Sequence, residues 1–147
     1  SCRCISTYVK ESNPCFCVSV RGLANRLTQL YDDRMAPFDL KVTQYSVMKK
    51  IVDKPNSTIS EIAQMCDLDR TTLTRSLRIL ERDGWLEFVK AKDQREKRLQ
   101  IKATKTSDFD RAQRAWQQVQ RELSALIDLD PIRKADEQLS IINARTK

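Results

Sequence analysis

The amino-acid sequence predicts a mainly helical fold with one small β-hairpin, and three observations support this class. Apolar residues recur at helical spacing over most of the 147 residues. The chain has only four prolines and two glycines, as expected for helices joined by short connections. One stretch, residues 85–102, departs from the helical period and reads as two short strands.

The first predicted helix begins at Asn13-Pro14, an N-cap residue followed by a proline at the first helical position. Apolar residues follow at alternating intervals of four and three, at Phe16, Val20, Leu23, Leu27 and Leu30. Such a stripe needs a partner helix to cover it. We therefore expect an association surface at this end of the chain.

Two short helices joined by a tight turn are predicted between Thr58 and Gly84. Thr58 and Glu61 have the spacing of a capping box, which satisfies the free amides of a helix N-terminus. Asp69 is a suitable N-cap for the second helix, and Gly84 stands where a left-handed residue would end it. The expected buried face of the first helix comprises Ile59, Ile62, Ala63 and Cys66. That of the second comprises Leu73, Leu77 and Leu80.

The opposite face of the second helix is polar and basic. It comprises Arg70, Thr71, Thr72, Thr74, Arg75 and Arg78. A solvated surface is the plainer interpretation, but threonine is a mediocre helix former, and three within four residues favour a role beyond solubility. Arginine and threonine near a helix N-terminus can reach base edges and phosphates in the DNA major groove. We therefore interpret this face as a candidate DNA-recognition surface.

The predicted hairpin follows at once, with strands at Trp85–Lys90 and Lys97–Lys102 and a polar loop between them. A hairpin in this position is a wing that can contact the phosphate backbone. The candidate contacts are Lys90, Lys92, Arg95, Lys97 and Arg98. Asp93 is expected to brace the loop against Arg95, with a geometric role because a surface ion pair contributes little energy.

Positive charge is concentrated in this region. Residues 69–102 contain ten basic and six acidic residues, within a chain whose net charge is +7. A local basic focus favours double-stranded DNA over a membrane surface as partner. The sequence contains neither an apolar run of transmembrane length nor a signal-peptide pattern, so we expect a cytoplasmic protein without membrane contact.

Two more helices are predicted at the C-terminal end. The first starts near Thr104 and carries Phe109, Ala112, Trp116, Val119, Leu123 and Leu126 at helical spacing. The second starts at Asp130-Pro131 and carries Ile132, Ala135, Leu139 and Ile142. The terminal helices could pack only on each other, but a two-fold homodimer covers all three stripes more fully. The expected dimerisation residues are Phe16, Val20, Leu23, Trp116, Val119, Leu123, Ile132, Leu139 and Ile142.

The order of these elements and their motifs resemble the MarR family of bacterial transcription regulators. The similarity is carried by EIAQMCDLDRTTLTRSLRILERDGWLE in the helix-turn-helix, DQR at Asp93–Arg95, LKVTQYSVMKKI at Leu40–Ile51, and Thr104 at the next helix. It extends from about Phe16 onward. The resemblance implies a winged helix-turn-helix, an obligate homodimer and a near-palindromic operator.

The chain is then expected to be one domain over residues 1–147, with dimerisation helices at 14–36 and 104–147 around a winged helix-turn-helix at 43–102. The two recognition helices of a dimer should lie about one DNA turn apart, roughly 34 Å. We expect a repressor released by a small-molecule ligand or by thiol oxidation. The alternatives are a winged-helix module for protein–protein assembly and a metal-responsive regulator.

The five cysteines leave three interpretations open: packing thiols, a redox switch and a metal site. Cys66 falls on a buried helix face, while Cys2/Cys4 and Cys15/Cys17 form two Cys-x-Cys pairs. An odd number of cysteines in a DNA-binding protein indicates a reducing compartment. A helix N-terminus favours the thiolate, which makes the second pair the redox candidates. Zinc prefers cysteines separated by two to four residues, so a metal site fits these four less well.

The resemblance adds a specific redox candidate. The branch of the family that senses organic hydroperoxides has a reactive cysteine in a Cys-Phe context, with a tyrosine fourteen residues further on. Cys17 and Tyr31 match that spacing, while Cys15 matches the Cys-Phe sequence. A second tyrosine of that branch, expected near Val42, is absent.

The residue types needed for common catalytic sites are missing. The chain contains no histidine, which excludes Ser-His-Asp and Cys-His arrangements and the usual imidazole metal site. Its two glycines cannot form a glycine-rich phosphate loop. An enzyme is therefore the least expected class, and no cofactor is expected.

Overall fold

Six α-helices and a two-stranded antiparallel sheet make up the computed structural model, which describes residues 15–90 and 97–145. The helices are α1 (Phe16–Met35), α2 (Val42–Asp53), α3 (Ile59–Met65), α4 (Arg70–Arg82), α5 (Thr106–Leu126) and α6 (Asp130–Arg145). Strands β1 (Leu86–Lys90) and β2 (Lys97–Ile101) lie between α4 and α5. The predicted fold class, mainly helical with one β-hairpin, is confirmed.

A single hydrophobic core joins the middle of the chain to the end of α1 and the first half of α5. Met35, Met48, Leu73, Leu80 and Leu86 are all completely buried. Burying such a side chain contributes about 1.5–3 kcal/mol. The core therefore fixes α4 and the sheet on a rigid support.

Aromatic side chains connect α2 to α5 within this core. The ring of Tyr45 stacks on Phe109 with 5.6 Å between centroids, and its centroid lies 5.7 Å from that of Trp116. Val119, one helical turn further along α5, is also completely buried. Val119 was predicted to contact a dimer partner, but it is completely buried within its own protomer. Trp116 is half-buried against the core, so its predicted contact with a partner stays a prediction.

Helix ends lie close to the positions that the sequence predicts. The amide of Glu61 donates to Thr58 Oγ1 at 3.1 Å, and the Glu61 carboxylate accepts from the Thr58 amide at 3.4 Å, so the capping box is present. Asp69 Oδ1 accepts from the Thr72 amide at 2.7 Å. Gly84 has φ of +81° directly after α4. These local signals fix the α3–turn–α4 segment.

Two predicted boundaries differ from the structure. A short 3₁₀ segment at Ala103–Lys105 precedes α5, which begins at Thr106 instead of Thr104. Trp85 and Lys102 flank the strands, although the Lys102 amide still donates to the Trp85 carbonyl at 2.9 Å. The predicted cap at Asn13-Pro14 lies outside the described residues. Where the description begins, Cys15 is the N-cap of α1.

The left-handed Gly84 gives a stability prediction. A Cβ atom at this position would meet no atom within 4 Å, so Gly84→Ala changes only the backbone energy. We expect a loss of about 1–2 kcal/mol in the free energy of unfolding. Urea denaturation at a fixed protein concentration measures it.

Gly22→Ala is the matched control for that measurement. Gly22 lies inside α1, and a Cβ there would meet the flexible end of Arg26 at 3.3 Å. Alanine is the better helix former, so this variant is expected to gain up to about 1 kcal/mol. Changes of the same sign in both variants would contradict the special role of Gly84.

The end of α1 is bonded to both neighbouring helices. Asp32 Oδ1 accepts from the backbone amide of Val42, the first residue of α2, at 2.8 Å. The guanidinium of Arg34 donates twice to the Glu122 carboxylate on α5, at 2.7 and 3.2 Å. The last turn of α1 thus holds both α2 and α5 in position.

By contrast, α6 and the start of α1 present apolar surface to solvent. All sixteen residues of α6 are exposed. The exposed large apolar side chains of α1 and the C-terminal end are Phe16, Val18, Val20, Leu126, Ile127, Leu129, Ile132, Leu139, Ile141 and Ile142. An isolated helix of this length is marginal in water, so this surface needs a partner.

Candidate nucleic-acid interface

Helix α4 has one buried face and one exposed face. Leu73, Leu77 and Leu80 anchor it in the core, with at most 5% of each side chain exposed. The structure brings all six predicted recognition residues to the other face. Arg70, Thr71, Thr72, Arg75 and Arg78 are exposed, while Thr74 is half-buried. The helix is therefore a rigid rod with its polar side directed outward.

The three arginines on this face stand outside the ion pairs of the described residues. Arg70, Arg75 and Arg78 form no ion pair with any residue in 15–90 or 97–145, whereas Arg34 on α1 pairs with Glu122 at 2.7 Å. The three side chains line one shallow hollow together with Thr71 and Thr74. Unpaired cations held on a rigid helix attract a polyanion.

Two threonines of this face use their hydroxyl protons within the helix. Thr72 Oγ1 donates to Asp69 Oδ2 at 2.9 Å, and Thr74 Oγ1 donates to the Arg70 carbonyl at 2.8 Å. Bonds from the amide and then the hydroxyl of Thr72 lower the pKa of Asp69. Sequence reasoning identified Asp69 only as a cap, although an Asp-x-x-Thr spacing could have signalled this second bond.

The sheet carries further basic residues from the predicted set of DNA contacts. Lys90 and Lys97 are paired in the β1–β2 register. Arg98 is exposed and donates to Asn56 Oδ1, in the segment before α3, at 3.4 Å. The predicted contacts Lys92 and Arg95, the brace at Asp93 and the side chain of Lys97 lie outside the described residues.

Cys15 and Cys17 lie at the start of α1 and are both exposed. Tyr31 is fourteen residues beyond Cys17 on the same helix, which separates them by about 21 Å. The Tyr31 hydroxyl instead donates to Gln120 Oε1 on α5, and burial raises its pKa. The structure therefore does not bring Cys17 and Tyr31 together within one protomer. Cys66 is half-buried, and burial raises the pKa of its thiol.

The described residues also bear on metal binding and membrane insertion. Among the described residues there is no group of three or more histidine, cysteine, aspartate or glutamate side chains placed to hold a metal ion. Cys2 and Cys4 lie outside that part of the chain, so the four-cysteine metal site stays a prediction. None of the helices in 15–90 and 97–145 combines the length and apolar character needed to cross a bilayer.

Helices α3 and α4, the turn between them and the β1–β2 hairpin define a winged helix-turn-helix protein. The model of the MarR family matches residues 40–97, which include α2, α3, α4 and β1 and end at the first residue of β2. The structure of the M. tuberculosis transcriptional regulator MosR in complex with DNA is 32% identical, with a TM-score of 0.74, over 91% of this chain and 99% of that one. This chain belongs to the MarR family of transcription regulators.

More distant structures share the fold. The S. aureus MepR–DNA complex is 13% identical with a TM-score of 0.71, over 90% of this chain and 97% of that one. Wild-type E. coli MarR is 19% identical with a TM-score of 0.62, over 90% of this chain and 98% of that one. No curated protein sequence matches the chain. The family comprises transcription regulators rather than enzymes, so this chain is a regulator.

Proposed function

We propose that the chain acts as a homodimer that binds a near-palindromic DNA operator through two copies of α4. The observation that carries the proposal is the set of three exposed, unpaired arginines on the recognition helix. Arg75 and Arg78 supply donors for guanine edges or phosphates, and Thr71 can reach a base edge. Lys90 and Arg98 on the sheet are proposed to contact the phosphate backbone. MosR, at 32% identity, is itself seen in complex with DNA.

The exposed apolar surface of the terminal helices supports the dimer. Phe16 and Val20 at the start of α1, and Leu139 and Ile142 on α6, are each more than half exposed in the protomer. Half-buried Leu23 and Leu123 continue this surface towards the core. A two-fold contact covers the same patch on both subunits. It also fixes the separation of the two recognition helices, which a palindromic site requires.

Regulation is proposed to act on that separation. Repression ends when a small-molecule ligand, or oxidation of Cys15 or Cys17, favours a dimer whose α4 helices no longer match successive major grooves. An exposed thiolate that attacks a hydroperoxide breaks the O–O bond, giving a sulfenic acid and releasing the alcohol. Both thiols are accessible for such a reaction.

Salt dependence tests the DNA-binding proposal against a protein-assembly role for the winged helix. The measurement is fluorescence anisotropy of purified protein with a labelled operator obtained by selection from random duplexes. Counterion release predicts a fall in affinity on the order of 10³-fold between 50 and 200 mM salt for about six phosphate contacts. A protein that enriches no sequence and shows no salt slope would exclude the regulator mechanism proposed here.

Oxidant release tests the thiol branch of the proposal. Cys17→Ser, or Cys15→Ser if that thiol is the sensor, is expected to abolish release of the operator by cumene hydroperoxide or hydrogen peroxide. Cys66→Ala is the matched control, because burial disfavours the thiolate of Cys66, and it should respond like wild type. Release that persists in the Cys15→Ser/Cys17→Ser double variant would assign both residues to packing.

A further inference from the structure

The first turn of α4 presents hydrogen-bond acceptors at its outer end. A threonine hydroxyl has a single proton, and the proton of Thr72 is used in the 2.9 Å bond to Asp69 Oδ2. The remaining lone pairs of Thr72 can only accept. Both side chains are exposed, so they form an outward-facing pair without a free donor.

The carboxylate of Asp69 is held in its charged form. Its two oxygens accept from the amide and the hydroxyl of Thr72 at 2.7 and 2.9 Å, and these bonds lower its pKa. A helix N-terminus ordinarily attracts phosphate through its free amides. Here the Asp69 carboxylate already occupies that position, so the Thr72 amide is not available to a DNA phosphate.

The major groove offers a group that suits such a pair. Adenine N6 and cytosine N4 are amino donors, whereas guanine O6 and thymine O4 are acceptors that would face the carboxylate. Arg75 lies one turn further on and feels the charge of Asp69. It supplies the opposite chemistry, because its guanidinium has donors only.

We infer that Asp69 and Thr72 form a specificity-determining pair, which reads an amino-bearing base, adenine or cytosine, on the strand that faces the tip of α4. This inference rests on the proposed function and deepens it. The contact involves one base pair in each half-site. If its two bases exchange strands, thymine O4 or guanine O6 faces the Asp69 carboxylate in place of an amino group. Asp69 and Thr72 thus favour one orientation of that base pair over the other, and the carboxylate disfavours a phosphate at the same place.

The test compares base preferences of wild type with those of two variants. Asp69→Asn removes the charge and adds a donor, yet asparagine caps helices as well as aspartate. Thr72→Val removes the accepting hydroxyl and leaves the bond from its amide to Asp69. Glu81→Gln is the matched control, because it removes one exposed charge from the same helix about 18 Å away. Each protein is titrated with operators carrying every base at every position of one half-site, at one salt concentration.

We expect wild type and Glu81→Gln to prefer adenine or cytosine at one position by roughly tenfold. Asp69→Asn should lose that preference at that position alone and bind random duplex more tightly than wild type. Thr72→Val should weaken the same preference. Unchanged base profiles in both variants, or equal changes for operator and random duplex, would show that Asp69 is only a cap. Wild type without salt-dependent binding would instead overturn the proposed function itself.

Discussion

Replacing Arg75 by alanine is expected to weaken operator binding by about 1–3 kcal/mol per half-site. Arg75 lies on the exposed face of α4, opposite the buried Leu73 and Leu77, and forms no ion pair within residues 15–90 and 97–145. The substitution is therefore expected to leave the fold intact and to remove a bidentate hydrogen-bond donor from the DNA major groove. Anisotropy titrations with selected operator and random duplex measure the change.

Two further variants show what Arg75 contributes. Arg75→Lys keeps the charge without the planar fork, so it should retain most of the salt slope and lose base preference. Arg82→Ala removes an exposed arginine from the last turn of the same helix, where it pairs with Asp83 at 3.1 Å. That control is expected to bind operator like wild type. Equal losses for Arg75→Ala and Arg82→Ala would mean that α4 does not read DNA through this face.

Leu139→Glu is expected to dissociate the dimer and, with it, to abolish tight operator binding. Leu139 is 55% exposed on α6, among other exposed apolar side chains. The variant loses the burial of one leucine, about 1.5–3 kcal/mol, and two-fold symmetry applies this loss twice. Each copy also places a charge in the contact. Sedimentation equilibrium over a range of protein concentrations measures the shift in the dimer dissociation constant.

Ala144→Glu provides the comparison for that experiment. Ala144 lies five residues beyond Leu139 on α6, which places it about 140° around the helix. Ala144 is exposed, and the variant adds the same charge as Leu139→Glu on the other side of the helix. We therefore expect it to remain dimeric and to bind operator. A Leu139→Glu protein that stays dimeric would show that α6 does not form the contact between subunits.

Much of the helix-turn-helix formed by α3 and α4 could be predicted because its signals are local. The capping box at Thr58 and Glu61, the cap at Asp69 and the left-handed Gly84 each depend on residues within one turn of helix. The apolar stripe of α4 was equally clear, since its period of 3.6 residues identifies the buried face without knowledge of a partner.

Other features could not be predicted because they depend on distant residues or on atypical backbone. Asp39 and Asp67 adopt left-handed conformations with φ of 53° and 55°, which the sequence does not distinguish from ordinary turns. Val119 shares a helical stripe with exposed residues of α5, yet it lies in the protomer's core. Periodicity identifies an apolar face but not which neighbour covers it. The inward bond of Thr74 to the Arg70 carbonyl also requires the structure.

The carboxylate of Asp32 couples the movement of α1 to that of α2. Asp32 belongs to the helix that carries Cys15 and Cys17, yet its oxygen accepts from the leading amide of α2, which supports the DNA-reading elements. A tilt of α1 against α2 must stretch that 2.8 Å bond. A substitution of Asp32 can therefore change how rigidly the cysteines of α1 are connected to the helix-turn-helix, although Asp32 belongs to neither site.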